Sequence, residues 1–337
     1  MSRSSGERYT LIGGNASPYS MKMRALMHYR RLPYDWILRS LATDHLIADM
    51  RPVLVPVLML PDGSRHLDST YLIYLLEERH PRDRSVVPDE AAVAFLAHLV
   101  EDMADEWVTK MMFHYRWAYE PDIHYASHWI ADDRAADKSA EEREKFARFF
   151  AERQIGRMPL VGCTPENAPL IEAGYHFIIG LLRDHIGSAG YLFGTRPSMA
   201  DFGLYGQLRT LSQDPTPQSI LRREAQATES WLRQLDDASG IEGEWRGIDD
   251  LSVPAKELVG YAARIYLPFL AANEAATKKG AEKFTVSLDG RPYAQGVFGY
   301  QVKCLEELRR RYAALPDADQ QKIDPLLGEG AIAILKG

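Results

Sequence analysis

Over residues 8–80 short apolar runs alternate with helical spacing. Tyr9 to Ile12 predicts a first strand, and Gly13-Gly14 opens a loop after it. Met23, Leu26 and Met27 recur at the period of a helix that begins near Tyr19. Tyr34 to Leu38, after Leu32-Pro33, predicts a second strand. Val53 to Leu60 and a short Arg65-His66-Leu67 strand flank Pro61-Asp62-Gly63-Ser64, a turn with hairpin chemistry. Ser69 to Glu78 then places Leu72, Leu75 and Leu76 on one side of a helix. Pro81 to Pro88, with two prolines and several charges, reads as a linker.

Beyond Glu90 the pattern is helical. Leu96, Leu99, Val100, Met103, Trp107 and Met111 form one apolar stripe, with Glu101, Asp102, Asp105 and Glu106 opposite it. A charge run of this kind predicts a solvated face; a cleft wall or a subunit contact is the alternative. Residues 137–152 predict an exposed charged helix, and Ile171 to Ile186 a central apolar one. Ser198-Met199-Ala200-Asp201 has capping-box form, with a structural role for Asp201 at the third helical position. Trp231 and Leu232 close the next helix. From about residue 250, Ala255 to Ala275 and Tyr300 to Ala314 read as helices. Between them, Phe284 to Leu288 before Asp289-Gly290 reads as a strand and turn.

Composition changes this picture little. The 337 residues suggest two or three domains, and 46% hydrophobic with 26% charged residues fits a soluble globular chain. A net charge of −7 argues against a general nucleic-acid binder. Cys163 and Cys304 have neither metal spacing nor a C-x-x-C pair, and a reducing compartment fits them. No apolar signal core and no membrane-length apolar run appears, so the expectation is a cytoplasmic protein without membrane association.

The candidate chemistry gathers at Asn15-Ala16-Ser17-Pro18-Tyr19-Ser20. Ser17 followed by Pro18 has the form of an N-cap and first helical residue. Its hydroxyl then stands beside unpaired N–H groups, at a helix end that suits a thiolate or another anion. The simpler reading is a cap serine and nothing more. With Leu54-Val55-Pro56-Val57-Leu58 and Leu67-Asp68-Ser69-Thr70, the stretch resembles the thioredoxin-type half of the glutathione transferases. Gly194-Thr195-Arg196-Pro197-Ser198-Met199-Ala200-Asp201 resembles the same family's helical-domain signature. The likeness runs over roughly residues 8–235.

That resemblance implies an α/β thioredoxin-like N-terminal domain (1–84), an all-α C-terminal domain (90–245) and a mostly helical extension (250–337) packed on the helical domain. It implies glutathione as co-substrate, with Ser17 facing the sulfur and Asn15 and Ser20 as nearby donors. Val55, before a cis Pro56, would hold the tripeptide backbone, and Asp68-Ser69 its γ-glutamyl end. The family more often has Glu-Ser there. The implied reaction is thiolate attack on a small hydrophobic electrophile by a homodimer. A glutathione-dependent β-etherase, or a non-catalytic binding protein of the same fold, is the alternative. Arg39, His45 and Arg51 are candidates for a glutathione carboxylate, and His114, Tyr115 and Trp117 for an aromatic acceptor pocket. His124 and His128 share a helical face without an evident third ligand, so no metal is assigned. The extension reads as a packed tail, or as a wall of the acceptor pocket.

Overall fold

The computed structural model describes residues 8–337, with the backbone alone at residues 186–189. Four strands form the first sheet: β1 (Tyr9–Gly13), β2 (Tyr34–Leu38), β3 (Val57–Met59) and β4 (Arg65–His66), in the order β2-β1-β3-β4. β2 runs parallel to β1, with Tyr9 opposite Tyr34. β3 and β4 are antiparallel additions, with Leu11 opposite Leu58 and Leu58 opposite His66. Helix α1 (Pro18–Tyr29) makes the crossover between β1 and β2, and α2 (Ser69–Arg79) follows the sheet. This mixed sheet with its helices is the thioredoxin-like arrangement expected. β3 is shorter than the apolar run Val53–Leu60. Pro56 has no N–H for a ladder, and pairing starts only after it. The Arg51–Pro52 and Val55–Pro56 bonds are both cis.

Helices follow: α3 (Ala91–Met103), α4 (Thr109–Ala118), α5 (Glu120–Arg134), α6 (Ala140–Ile155), α7 (Ala168–Ala189), α8 (Met199–Leu211), α9 (Pro215–Glu224) and α10 (Gln226–Asp236). A π-helical segment, Ala104–Val108, joins α3 to α4 without a break. α6 is mostly exposed, and Ser139 with Glu142 closes a full capping box at its start. The box at α8 is buried. Asp201 accepts from the Ser198 N–H (2.8 Å), the Ser198 hydroxyl (2.6 Å) and the Leu192 N–H (3.0 Å).

α8 is the helix on which both halves lean, packed against α1 on one side and α3 on the other. Gly206 permits the first contact: a Cβ there would lie 2.5 Å from the Pro18 carbonyl and 3.0 Å from the Lys22 Cβ. Any larger side chain would push the start of α1 away, and Ser17 with it.

The remaining chain forms α11 (Val253–Tyr261), α12 (Leu267–Lys278), the hairpin β5 (Lys283–Leu288) and β6 (Arg291–Gly296), then α13 (Gly299–Ala313), α14 (Asp317–Leu327) and α15 (Glu329–Lys336). Positive φ at Asp289 and Gly290 gives the hairpin its two-residue turn. α11 packs on α7, and α13 and α14 pack on α3. Among the described residues no helix is long and apolar enough to cross a membrane.

One expectation is overturned. Glu101, Asp102 and Asp105 are buried rather than solvated, and Glu106 is only partly exposed. The other side of the apolar stripe is covered too, by α1, α2 and the C-terminal extension. Four carboxyls therefore stand between helices.

Candidate functional site

Two adjoining cavities run along the junction of the sheet, α2, the π-helical segment and α13. The first, about 390 Å³, is lined by Val55, Pro56, Asp68 and Ser69 together with Asp102, Asp105, Glu106 and Tyr300. The second, about 530 Å³, is lined by Ser17 and Val55 and by an aromatic group that includes Phe113, Trp117 and Phe150. Tyr19, Leu54, Val55, Glu106 and Tyr300 stand in the walls of both.

Ser17 caps α1, its Oγ accepting the Ser20 N–H at 3.3 Å. That bond uses a lone pair and leaves the hydroxyl proton available to donate. The loop before it is fastened from below: buried Arg116 donates to the Ala16 carbonyl (3.1 Å) and pairs with Asp214 (2.8 Å). Ser20 and Asn15 do not reach either cavity. Ser20 is fully buried, its Oγ accepting the Gly14 N–H at 3.2 Å. Asn15 donates to Asp133 (3.0 Å) and accepts from Arg24 (3.4 Å). Of Asn15, Ser17 and Ser20, Ser17 is the one placed in a cavity wall.

Asp68 has φ = 75° and caps α2, its Oδ1 accepting the N–H groups of Thr70 (3.1 Å) and Tyr71 (3.2 Å). Its Oδ2 accepts the Tyr300 hydroxyl at 2.7 Å. Burial and the Asp68 charge hold the Tyr300 phenol well above its usual range, so it remains a donor. Ser69 lies deeper, accepting from Lys22 (3.1 Å) and donating to Asp105 Oδ2 (3.1 Å).

Lys22 is fully buried and bonded to Glu101 and, at 2.6 Å, to Asp105. Burial opposes its charge, but the two carboxylates outweigh it and hold the ammonium above its usual pKa. Burial pushes Glu101 and Asp105 upward in turn, since one cation faces two carboxyls. Asp105 Oδ1 is buried without a hydrogen-bond partner among the described residues.

The other candidates divide. Arg39 lines the second cavity and pairs with Asp44 at 2.8 Å. His45 and Arg51 turn to nearby carbonyls, of Ala42 and of Ala48 and Met50, and line neither cavity. Trp117 lines the second cavity, but His114 and Tyr115 point into the bundle. His114 bonds Glu172 at 2.7 Å and Tyr115 packs against Tyr175. Around α4, Tyr115 stands nearly opposite Trp117, and the face turned to the cavity is that of Phe113 and Trp117, one turn apart. His124 and His128 stack at 4.2 Å, and His128 bonds Glu144.

Several contributors were not singled out in the sequence: Tyr19, Lys22, Arg116 and Tyr300; Asp105 and Glu106 belong to the acidic run, for which a cleft wall was the alternative reading. Lys22 carried a signal, a charge between Met21 and Met23 on an apolar helix. Tyr300 carried none, standing 232 positions from Asp68.

Residues 11–84 match the family model of the glutathione S-transferase N-terminal domain. No curated protein matches the chain. Solved structures similar to it include a glutathione S-transferase from Methylobacterium radiotolerans JCM 2831 in complex with glutathione sulfonate. It is 20% identical, with TM-score 0.42, over 73% of this chain and 100% of that one. The β-etherase LigF from Sphingobium sp. strain SYK-6 is 17% identical, with TM-score 0.49, over 74% and 98%. The Tau class glutathione S-transferase MiGSTU from mango, Mangifera indica, is 15% identical, with TM-score 0.43, over 75% and 96%. The family model thus bears out, over residues 11–84, the resemblance to the glutathione transferases read from the N-terminal motifs.

Proposed function

We propose that the protein is a glutathione-dependent transferase that activates the glutathione thiol for attack on a small hydrophobic electrophile. One observation carries this reading. Val55, Pro56, Asp68 and Ser69 line one cavity, and Ser17 lines the cavity that adjoins it. In this reading residues 1–84 bind glutathione, 90–245 form the transferase helical domain and 250–337 are an extension of it.

Each part of glutathione has a complementary group. The γ-glutamyl ammonium suits Asp68 and the unpartnered Asp105 Oδ1. Its carboxylate suits the N-terminal end of α2 beside Ser69. The backbone N–H and C=O of Val55 suit the cysteinyl peptide unit. The thiol then lies toward Ser17, at the N-terminus of α1. An alkyl thiol has a pKa near ~8.5 and reacts as the thiolate. A hydroxyl that donates to sulfur, together with the helix end, stabilises the charged form and raises its fraction at neutral pH. Phe113, Trp117 and Phe150 give the acceptor an apolar, aromatic wall. A serine here favours conjugation over mixed-disulfide reduction, because a hydroxyl cannot be attacked by a thiol as a cysteine disulfide can.

Isothermal calorimetry with reduced glutathione tests the proposal. Saturable one-site binding that is weakened by Asp68→Asn is the expected result; no heat of binding at millimolar glutathione refutes it. We also infer a cytoplasmic homodimer from the family resemblance. Light scattering should report about twice the 38.1 kDa chain mass, and a monomer would contradict that inference.

A further inference from the structure

The mechanism above makes no use of Glu106. Glu106 lies in the π-helical segment, and such segments recur at functional sites because they re-aim side chains within a helix. It stands in the walls of both cavities, where glutathione held along the first would meet an acceptor held in the second. Its Oε2 accepts a hydrogen bond from Gln301 Nε2 at 3.1 Å. Among the described residues it has no ion-pair partner, unlike Glu101 and the adjacent Asp105, which share Lys22. The nearby cation, Lys110, is committed to the Val161 carbonyl (3.1 Å) and Gln295 (2.6 Å).

We propose, on the transferase reading, that Glu106 is a general acid, and that the acceptors of this site are electrophiles whose breaking bond leaves charge on oxygen. The glutathione sulfur forms a bond to carbon, and the carbon–oxygen bond breaks with its electron pair going to oxygen. The proton of the Glu106 carboxyl moves to that oxygen. The carboxylate left behind is held by the Gln301 N–H and takes up from solvent the proton that the thiol had released. No oxidant or metal enters the balance. An epoxide carried by an aryl group fits both requirements, the aromatic wall and the departing oxygen.

The surroundings keep the carboxyl protonated near neutrality. Burial raises it first, and the charges of Asp105 and Asp68 add to this. Gln301 and Lys110 oppose, and the balance lies at about 7. Lys110 is weakened as a cation because burial lowers it to about 8. Asp102, on the preceding turn, is itself raised to about 7 by burial. From α1 and the extension, Tyr19, Tyr266, Tyr300 and Cys304 face this region, all held in their neutral forms by burial.

The test compares two nitroaryl acceptors: 1,2-epoxy-3-(4-nitrophenoxy)propane, which needs a proton on oxygen, and 4-nitrobenzyl chloride, whose chloride leaves without one. The readout is the ratio of their kcat/KM values from pH 5.5 to 9. In the wild type the epoxide-to-chloride ratio should fall about tenfold per pH unit above about 7. In Glu106→Gln the ratio should be lower by on the order of 10²-fold at pH 6.5 and flat with pH. The wild-type profile decides the matter even if that variant fails to fold. A flat wild-type ratio, an equal loss on both acceptors in Glu106→Gln, or turnover of the chloride alone overturns the acid role and leaves the transferase reading standing. Turnover of neither acceptor refutes both.

Discussion

Asp68 carries three loads, and the structure separates them. It caps α2 through Oδ1, it accepts the Tyr300 hydroxyl through Oδ2, and it holds φ = 75°. Asp68→Ala removes the cap, which costs about 1 kcal/mol. It places an alanine in the left-handed region, for about another 1 kcal/mol. Tyr300 is 47% exposed as a residue, its hydroxyl end being the part turned into the cleft, and its bond contributes about 0.5 kcal/mol after that discount. A total near 2–3 kcal/mol should appear in urea unfolding at pH 7. Asp68→Asn keeps the oxygen that caps α2, turns an amide N–H toward the Tyr300 oxygen in place of the second acceptor, and tolerates the same φ, so it should cost under about 1 kcal/mol. In calorimetry, however, both variants should weaken glutathione by about 1.5–3 kcal/mol, because both lose the charge that faces the ammonium. Equal stability of wild type and Asp68→Ala would mean that the cap and the Tyr300 contact are not held in solution. Unchanged glutathione affinity in Asp68→Asn would remove Asp68 from the site.

Lys22→Met should destabilise the fold by about 3–5 kcal/mol, since it leaves Glu101 and Asp105 buried without their cation. Adding Asp105→Asn should recover part of that loss in urea unfolding, and no recovery would contradict the assigned triad. Asp102 makes stability depend on pH. Burial raises its folded pKa to about 7, above the unfolded value, so its contribution is full below about pH 4 and is lost as pH rises through 7. Asp102→Asn, which still accepts from Tyr266, should therefore gain on the wild type by at most ~4 kcal/mol between pH 4 and 8. A constant difference across that range would contradict it. Gly206→Leu should disrupt the α1–α8 contact and weaken glutathione-dependent activity together with stability.

What the sequence revealed is what is local. The apolar run Tyr9–Ile12, the Pro61–Ser64 turn and the Ser17-Pro18 junction are set within a few residues, and the structure has each of them. Ser198 and Asp201 are three positions apart, and their box was legible for the same reason. The acidic residues after Leu99 were not, because a helix face looks solvated until the elements that cover it are known. Glu101 and Asp105 are covered by Lys22 and Ser69, 79 and 36 positions away from the residues they meet. Tyr300 and Gln301 enter the cleft only because α13 packs on α3, a contact that no local pattern announces. His114 and Tyr115 failed as pocket residues for a different reason: the cluster of rings was visible, but not the side of α4 turned to the cavity.

The most direct measurement is an ultraviolet titration of the thiolate in the glutathione complex, for wild type and Ser17→Ala. The Ser17 hydroxyl keeps its proton free while its Oγ caps α1, so it should stabilise bound thiolate. The wild-type complex should show a thiol pKa below that of free glutathione. In Ser17→Ala that pKa should rise by about one unit, equivalent to about 1.4 kcal/mol of lost preference for the thiolate, with glutathione affinity at low pH little changed. Coincident titration curves for the two proteins would reduce Ser17 to a helix cap and contradict the proposed activation of the thiol.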